Sequence, residues 1–65
     1  MTAQQLRVAR ARLAISQYEL AQFLGVPQSR ISRAEHGETR LTPEESHRAR
    51  QFFADKQQQR RKQWK

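Results

Sequence analysis

The sequence predicts an all-α fold, a small bundle of four to five helices around one core, and three observations carry that prediction. Its apolar residues recur at spacings of three and four, with no alternating stretch that would read as a strand. Ser or Thr followed three residues later by Glu, at Ser16 and Glu19 and again at Thr42 and Glu45, forms capping boxes that mark helix starts. The residues able to break a helix, Gly25, Pro27, Gly37 and Pro43, all fall between the periodic stretches. With 65 residues the chain can build one small core, which excludes a second domain.

The elements follow in order. Helix one starts after Thr2, an N-cap, and carries Leu6, Ala9 and Leu13 on one face, ending near Leu13. Helix two starts at Gln17, where the Ser16 hydroxyl can take the Glu19 amide and the Glu19 carboxylate can return the bond. Its stripe of Leu20, Ala21, Phe23 and Leu24 stops at Gly25, the residue best suited to a left-handed C-terminus. Val26 and Pro27 connect to a third helix from Gln28 to about His36, whose only strong apolar residue is Ile31, backed by Ala34. So few core residues leave most of that helix on the surface. Thr42, Pro43, Glu44 and Glu45 open helix four with proline at the first helical position and two acids at its positive end. Its apolar positions are Ala49, Phe52, Phe53 and Ala54, and Tyr18, Phe23, Phe52 and Phe53 are all expected as core filler. Residues 1–55 thus form the domain, and residues 56–65 form a basic tail or helix extension that either continues helix four or frays.

Charge points to a polyanionic partner. Thirteen Lys and Arg against six Asp and Glu give a net +7. The tail holds Lys56, Arg60, Arg61, Lys62 and Lys65 with no acid, so it is the most basic segment. Catalysis fits poorly, because a reactive site needs convergent groups in a walled pocket that so small a core does not supply. His36 and His47 have no third ligand at metal spacing, and the chain has no cysteine, so no metal and no cofactor is expected. No run approaches the roughly 18 apolar residues of a membrane span. Met1 leads directly into polar residues, so the expectation is a cytoplasmic, nucleoid-associated protein that is not an enzyme.

Two short helices joined by a glycine turn, the second exposing polar side chains at its start, fit the helix-turn-helix that enters a major groove. Ala21 must be small where the helices cross, and Leu20, Leu24, Val26 and Ile31 fill the angle between them. Residues 16–37, SQYELAQFLGVPQSRISRAEHG, closely resemble the Cro/C1-type (XRE-like) helix-turn-helix family of phage and bacterial repressors. The resemblance implies a lambda-repressor-like fold. It also implies that Gln28, Ser29, Ser32 and Arg33 read base edges in double-stranded DNA, and their chemistry agrees: Gln suits adenine N6 and N7, Arg forks onto guanine O6 and N7. It implies phosphate contacts from Gln17, Gln22, His36, Thr39 and Arg40, with Arg30 assigned equally to phosphate or solvent. Arg10 and Glu35 match a structural pair of the family that fixes the angle between helices.

The chain departs from that pattern in places. Ala34 stands where a larger apolar residue is usual, Ser46 and Arg50 stand at positions that often face the core, and the fifth helix that often builds a dimer interface is replaced by the basic tail. The leading reading is a repressor that binds a two-fold operator as a homodimer, since a monomer this small reads too few base pairs. Phe52, Phe53 or Trp64 would anchor the dimer. The tail then serves as an arm on phosphates, as a solvated end, or as a segment that folds on a protein partner. A second reading is an antitoxin-like interaction module whose tail wraps a partner protein while DNA binding is autoregulatory. A nonspecific nucleic-acid binder is a third.

Overall fold

The computed structural model describes the backbone of residues 1–62 and the side chains of residues 1–59; Trp64, offered above as an anchor, lies outside the described residues. Four helices follow one another: α1 (Ala3–Arg12), α2 (Gln17–Leu24), α3 (Gln28–Glu35) and α4 (Pro43–Lys62). Among the described residues there is no strand, and no helix is long and apolar enough to cross a membrane.

Helix α1 starts with a closed capping box. Thr2 Oγ1 accepts from the Gln5 amide at 3.1 Å, and Gln5 Oε1 accepts from the Thr2 amide at 3.0 Å. The helix stops at Arg12, one residue short of expectation, because Ala14 takes a left-handed conformation at φ 54°. That turn aims Ile15 inward, where it is buried. Helical spacing alone passes over Ile15, since it lies between two helices.

Leu6, Ile15, Leu20, Ala21, Leu24, Ile31, Ala34, Ala49 and Phe53 form the core, with Leu20 and Ile31 sealed from solvent. Each fully buried Leu or Ile contributes about 1.5–3 kcal/mol. Two sequence expectations fail here. Tyr18 is 58% exposed and Phe23 41% exposed, so neither is core filler, and Ala54 is exposed as well. Tyr18 points outward because Leu20, Ala21 and Leu24 already define the buried stripe of α2, which lies about half a turn away.

Phe23 instead stacks on Phe52 at a centroid distance of 4.4 Å, joining α2 to α4 at the edge of the core. Arg48 spans the same junction. Its guanidinium sits 5.5 Å above the Phe23 ring and donates to the Phe23 carbonyl at 3.0 Å, satisfying a helix-end acceptor that has no partner within α2. The Ser16 cap also differs from expectation. Its hydroxyl accepts from the Glu19 amide at 3.0 Å, but the Glu19 carboxylate pairs with Lys56 Nζ at 3.0 Å instead of returning to the cap. Helix α4 runs unbroken from the Thr42 cap past Phe53, the last buried residue among those described, and so extends well beyond that residue.

Candidate nucleic-acid interface

Helices α2 and α3 meet across a turn whose conformation only glycine takes without strain. Gly25 caps α2 at φ 72° and ψ 32°, and the Val26 amide reaches back to the Ala21 carbonyl at 3.0 Å. A Cβ on Gly25 would touch nothing within 4 Å, so the requirement there is set by the backbone angle, not by space. Pro27, extended at φ −64° and ψ 149°, then caps α3 without a side-chain bond. Ile31 and Ala34 turn inward and anchor α3, which leaves its opposite face in solvent.

That outer face carries the four residues expected to read bases. Gln28, Ser29 and Arg33 are exposed and Ser32 is half-buried. Among the described residues, the Ser29 and Ser32 hydroxyls and the Arg33 guanidinium take no intramolecular partner. The face therefore offers donors and acceptors that the fold itself does not use. Gln28 is the exception, because its Nε2 lies 3.5 Å from Gln17 Oε1.

A network behind that face holds Gln17. Its Nε2 donates to Glu35 Oε1 at 3.1 Å. Glu35 is buried and also accepts from Arg10 Nε at 2.6 Å and Nη2 at 2.9 Å. The expected pair thus forms with fork geometry. Burial pushes the Glu35 carboxyl up, but the bonds from Arg10 and Gln17 outweigh it and hold the group below the usual carboxylate range. Arg7, which sequence reasoning passed over, donates to the Glu35 carbonyl at 2.9 Å, and Arg10 Nη1 donates to the Ile15 carbonyl at 3.0 Å. Glu35 thereby ties α1, α2 and α3 together.

The residues expected at phosphates are distributed around α3. Gln22 is exposed on α2 and donates to the Tyr18 hydroxyl at 2.7 Å. Tyr18 is a candidate that the sequence reading missed. Its spacing of four from Gln22, off the Leu20 and Leu24 stripe, was the available signal. His36 lies just past α3 with Nδ1 2.7 Å from the Ser32 carbonyl. A carbonyl only accepts, so Nδ1 carries the proton in that contact. Thr39 is half-buried and Arg40 exposed in the loop that leads to α4.

Arg30 has an internal partner rather than open solvent. Its Nε and Nη2 donate to the two oxygens of Glu45 at 3.0 Å and 2.5 Å. Glu45 also closes the Thr42 capping box, accepting from the Thr42 amide at 2.9 Å. Its carboxyl is pushed down to about 2, first by the Arg30 bond and then by Thr42, against the opposing effect of burial. The angle between α3 and the start of α4 is held by this pair.

A family model described as helix-turn-helix matches residues 6–52, which is most of the chain and includes every helix of the interface. Comparison with curated proteins and with solved structures gives no match. The four-helix arrangement, the glycine turn and the matched span agree: the chain belongs to the Cro/C1-type, XRE-like helix-turn-helix family of DNA-binding transcription regulators.

Proposed function

We propose that this protein is a sequence-specific repressor that binds a two-fold operator as a homodimer, laying α3 in the major groove of each half-site. The observation that carries this reading is the outer face of α3, where Ser29, Ser32 and Arg33 keep unspent hydrogen-bonding groups beside Gln28. A face of that kind suits base edges, with Arg33 on guanine and Gln28 on adenine. Gln17, Gln22, His36, Thr39 and Arg40 lie around it and would contact phosphates, and Tyr18 joins them through Gln22. Arg30 contributes its charge only while shared with Glu45. Repression follows where the operator overlaps a promoter.

The dimer would form along α4. Phe53 is buried and unavailable as an anchor, whereas Phe52 is half-exposed and stacked on the exposed Phe23. The test is selection of duplexes from a random pool at about 150 mM salt, where nonspecific attraction is suppressed. An enriched inverted repeat supports the reading. Salt-sensitive binding to all sequences alike rejects it.

A further inference from the structure

Ala34, Ser46 and Arg50 line one cleft. It measures about 700 Å³ and lies between the start of α1, the loop after α3 and the first turns of α4, on the side of the domain defined by Thr2, Gly37 and Leu41. The volume falls within the roughly 300–1,000 Å³ typical of small-molecule sites. Ser46, His47 and Arg50 make its α4 wall polar.

Two properties of the lining decide what fits. The charged side chains on it are Arg40 and Arg50, with His47 beside them, and among the described residues no carboxylate lines it. Leu6, Ala34 and Leu41 supply an apolar floor. Ser46 adds a hydroxyl to the same lining. It is 9% exposed, faces the cleft, and among the described residues its hydroxyl has no hydrogen-bond partner. The residue is largely covered but its oxygen is not sealed, so a group entering the cleft meets a hydroxyl that the fold has not used. Arg50 likewise has no internal acid to neutralise it among the described residues.

We propose that this cleft binds a small organic anion with an apolar body, its carboxylate or phosphate held by Ser46, Arg50 and Arg40 and its body lying against Leu6, Ala34 and Leu41. A charge-assisted bond in a half-enclosed site is stronger than one in open water, and the apolar floor adds affinity that inorganic anions cannot draw on. The rim of the cleft includes Thr39 and Arg40, so occupancy reaches the loop that lies beside α3. The site itself does not depend on what α3 reads, and its test needs no DNA.

The experiment is a ¹H–¹⁵N titration of the full chain with hexanoate, phenyl phosphate, inorganic phosphate and neutral hexanamide. Hexanoate and phenyl phosphate should shift the amides of Gly37, Leu41, Ser46 and Arg50 saturably, with a Kd near 1 mM, about the affinity expected for ligands so small. Hexanamide should bind about ten-fold more weakly for want of charge, and inorganic phosphate likewise for want of an apolar body. Arg50→Gln, on an exposed side chain, should keep the fold and weaken hexanoate about ten-fold. Ser46→Leu should fill the floor and abolish saturable shifts while the spectrum stays dispersed. Failure of both organic anions to saturate below about 10 mM, or equal binding of hexanamide, overturns the proposal. Shifts confined to α2 and the outer face of α3 overturn it as well.

Discussion

The Glu35 carboxylate takes both prongs of the Arg10 guanidinium, Nε at 2.6 Å and Nη2 at 2.9 Å, while its third bond goes to Gln17. Removing Arg10 leaves a buried carboxylate with one neutral partner. Arg10→Ala should therefore destabilise the domain by about 3 kcal/mol, measured by urea unfolding. The double change Arg10→Met with Glu35→Leu should cost clearly less, because it removes the stranded charge along with the pair. Equal losses for the single and the double variant would show that packing, not charge, sets the cost.

Acid should loosen the junction between α3 and α4. The Glu45 carboxyl is held at about 2 in the folded chain against an ordinary value of 4.5. A depressed folded value means that the stabilisation is complete above the unfolded pKa and is lost as pH falls from about 4.5 toward about 2. Glu35, also lowered, adds to the same loss. Thermal unfolding across that range should show Tm falling with acid, and Glu45→Gln should flatten the lower part of the curve. A Tm that stays level from pH 5 to pH 2 would contradict the assignment.

Two backbone positions should respond in opposite directions. Gly25 at φ 72° has open space around it, so Gly25→Ala costs only the conformational penalty, about 1–2 kcal/mol. Ala14 already bears such a penalty at φ 54° on an exposed turn, so Ala14→Gly should stabilise by up to about 1 kcal/mol. Chemical denaturation of the two variants checks the contrast.

Arg33→Ala should leave stability unchanged, since no intramolecular partner is lost, and should reduce operator affinity by about 1–3 kcal/mol with relaxed preference at one base position. Competition binding against single-base operator variants reads this directly. A uniform loss across all sequences would reassign Arg33 to phosphate.

Deleting residues 56–65 tests whether the basic end touches DNA. Each phosphate contact removed should lower the log–log salt slope by about 0.9. An unchanged slope rejects an arm on the backbone, and the loss of the Lys56–Glu19 pair should show only as a small change in Tm.

Much of the fold was legible because local chemistry announced it. Thr2, Thr42 and Gly25 act in the structure as their residue types require, and Leu6, Leu20, Ile31 and Phe53 fall on the buried faces that spacing assigns. What escaped lies in tertiary choices. Ile15 is buried by a turn that no periodicity describes, and Glu19 prefers Lys56, 37 positions away, to its own cap. Phe23 and Tyr18 are bulky and apolar enough to read as core, yet the narrow stripe of α2 was already filled by Leu20, Ala21 and Leu24. On α3, the resemblance named Gln28, Ser29, Ser32 and Arg33, which lie on the helix's outward side, but the partners of Arg30 and Gln17 depend on how helices meet and could not be read from spacing.

Ser29, Ser32 and Arg33 hold nothing in place, whereas Ile31, Ala34 and Glu35, interleaved with them on the same two turns, hold nearly everything. Mutation can therefore explore one side of α3 while selection for folding acts on the other. A lineage built on this scaffold is free to change the chemistry of that outer face one residue at a time, passing through intermediates that all remain folded.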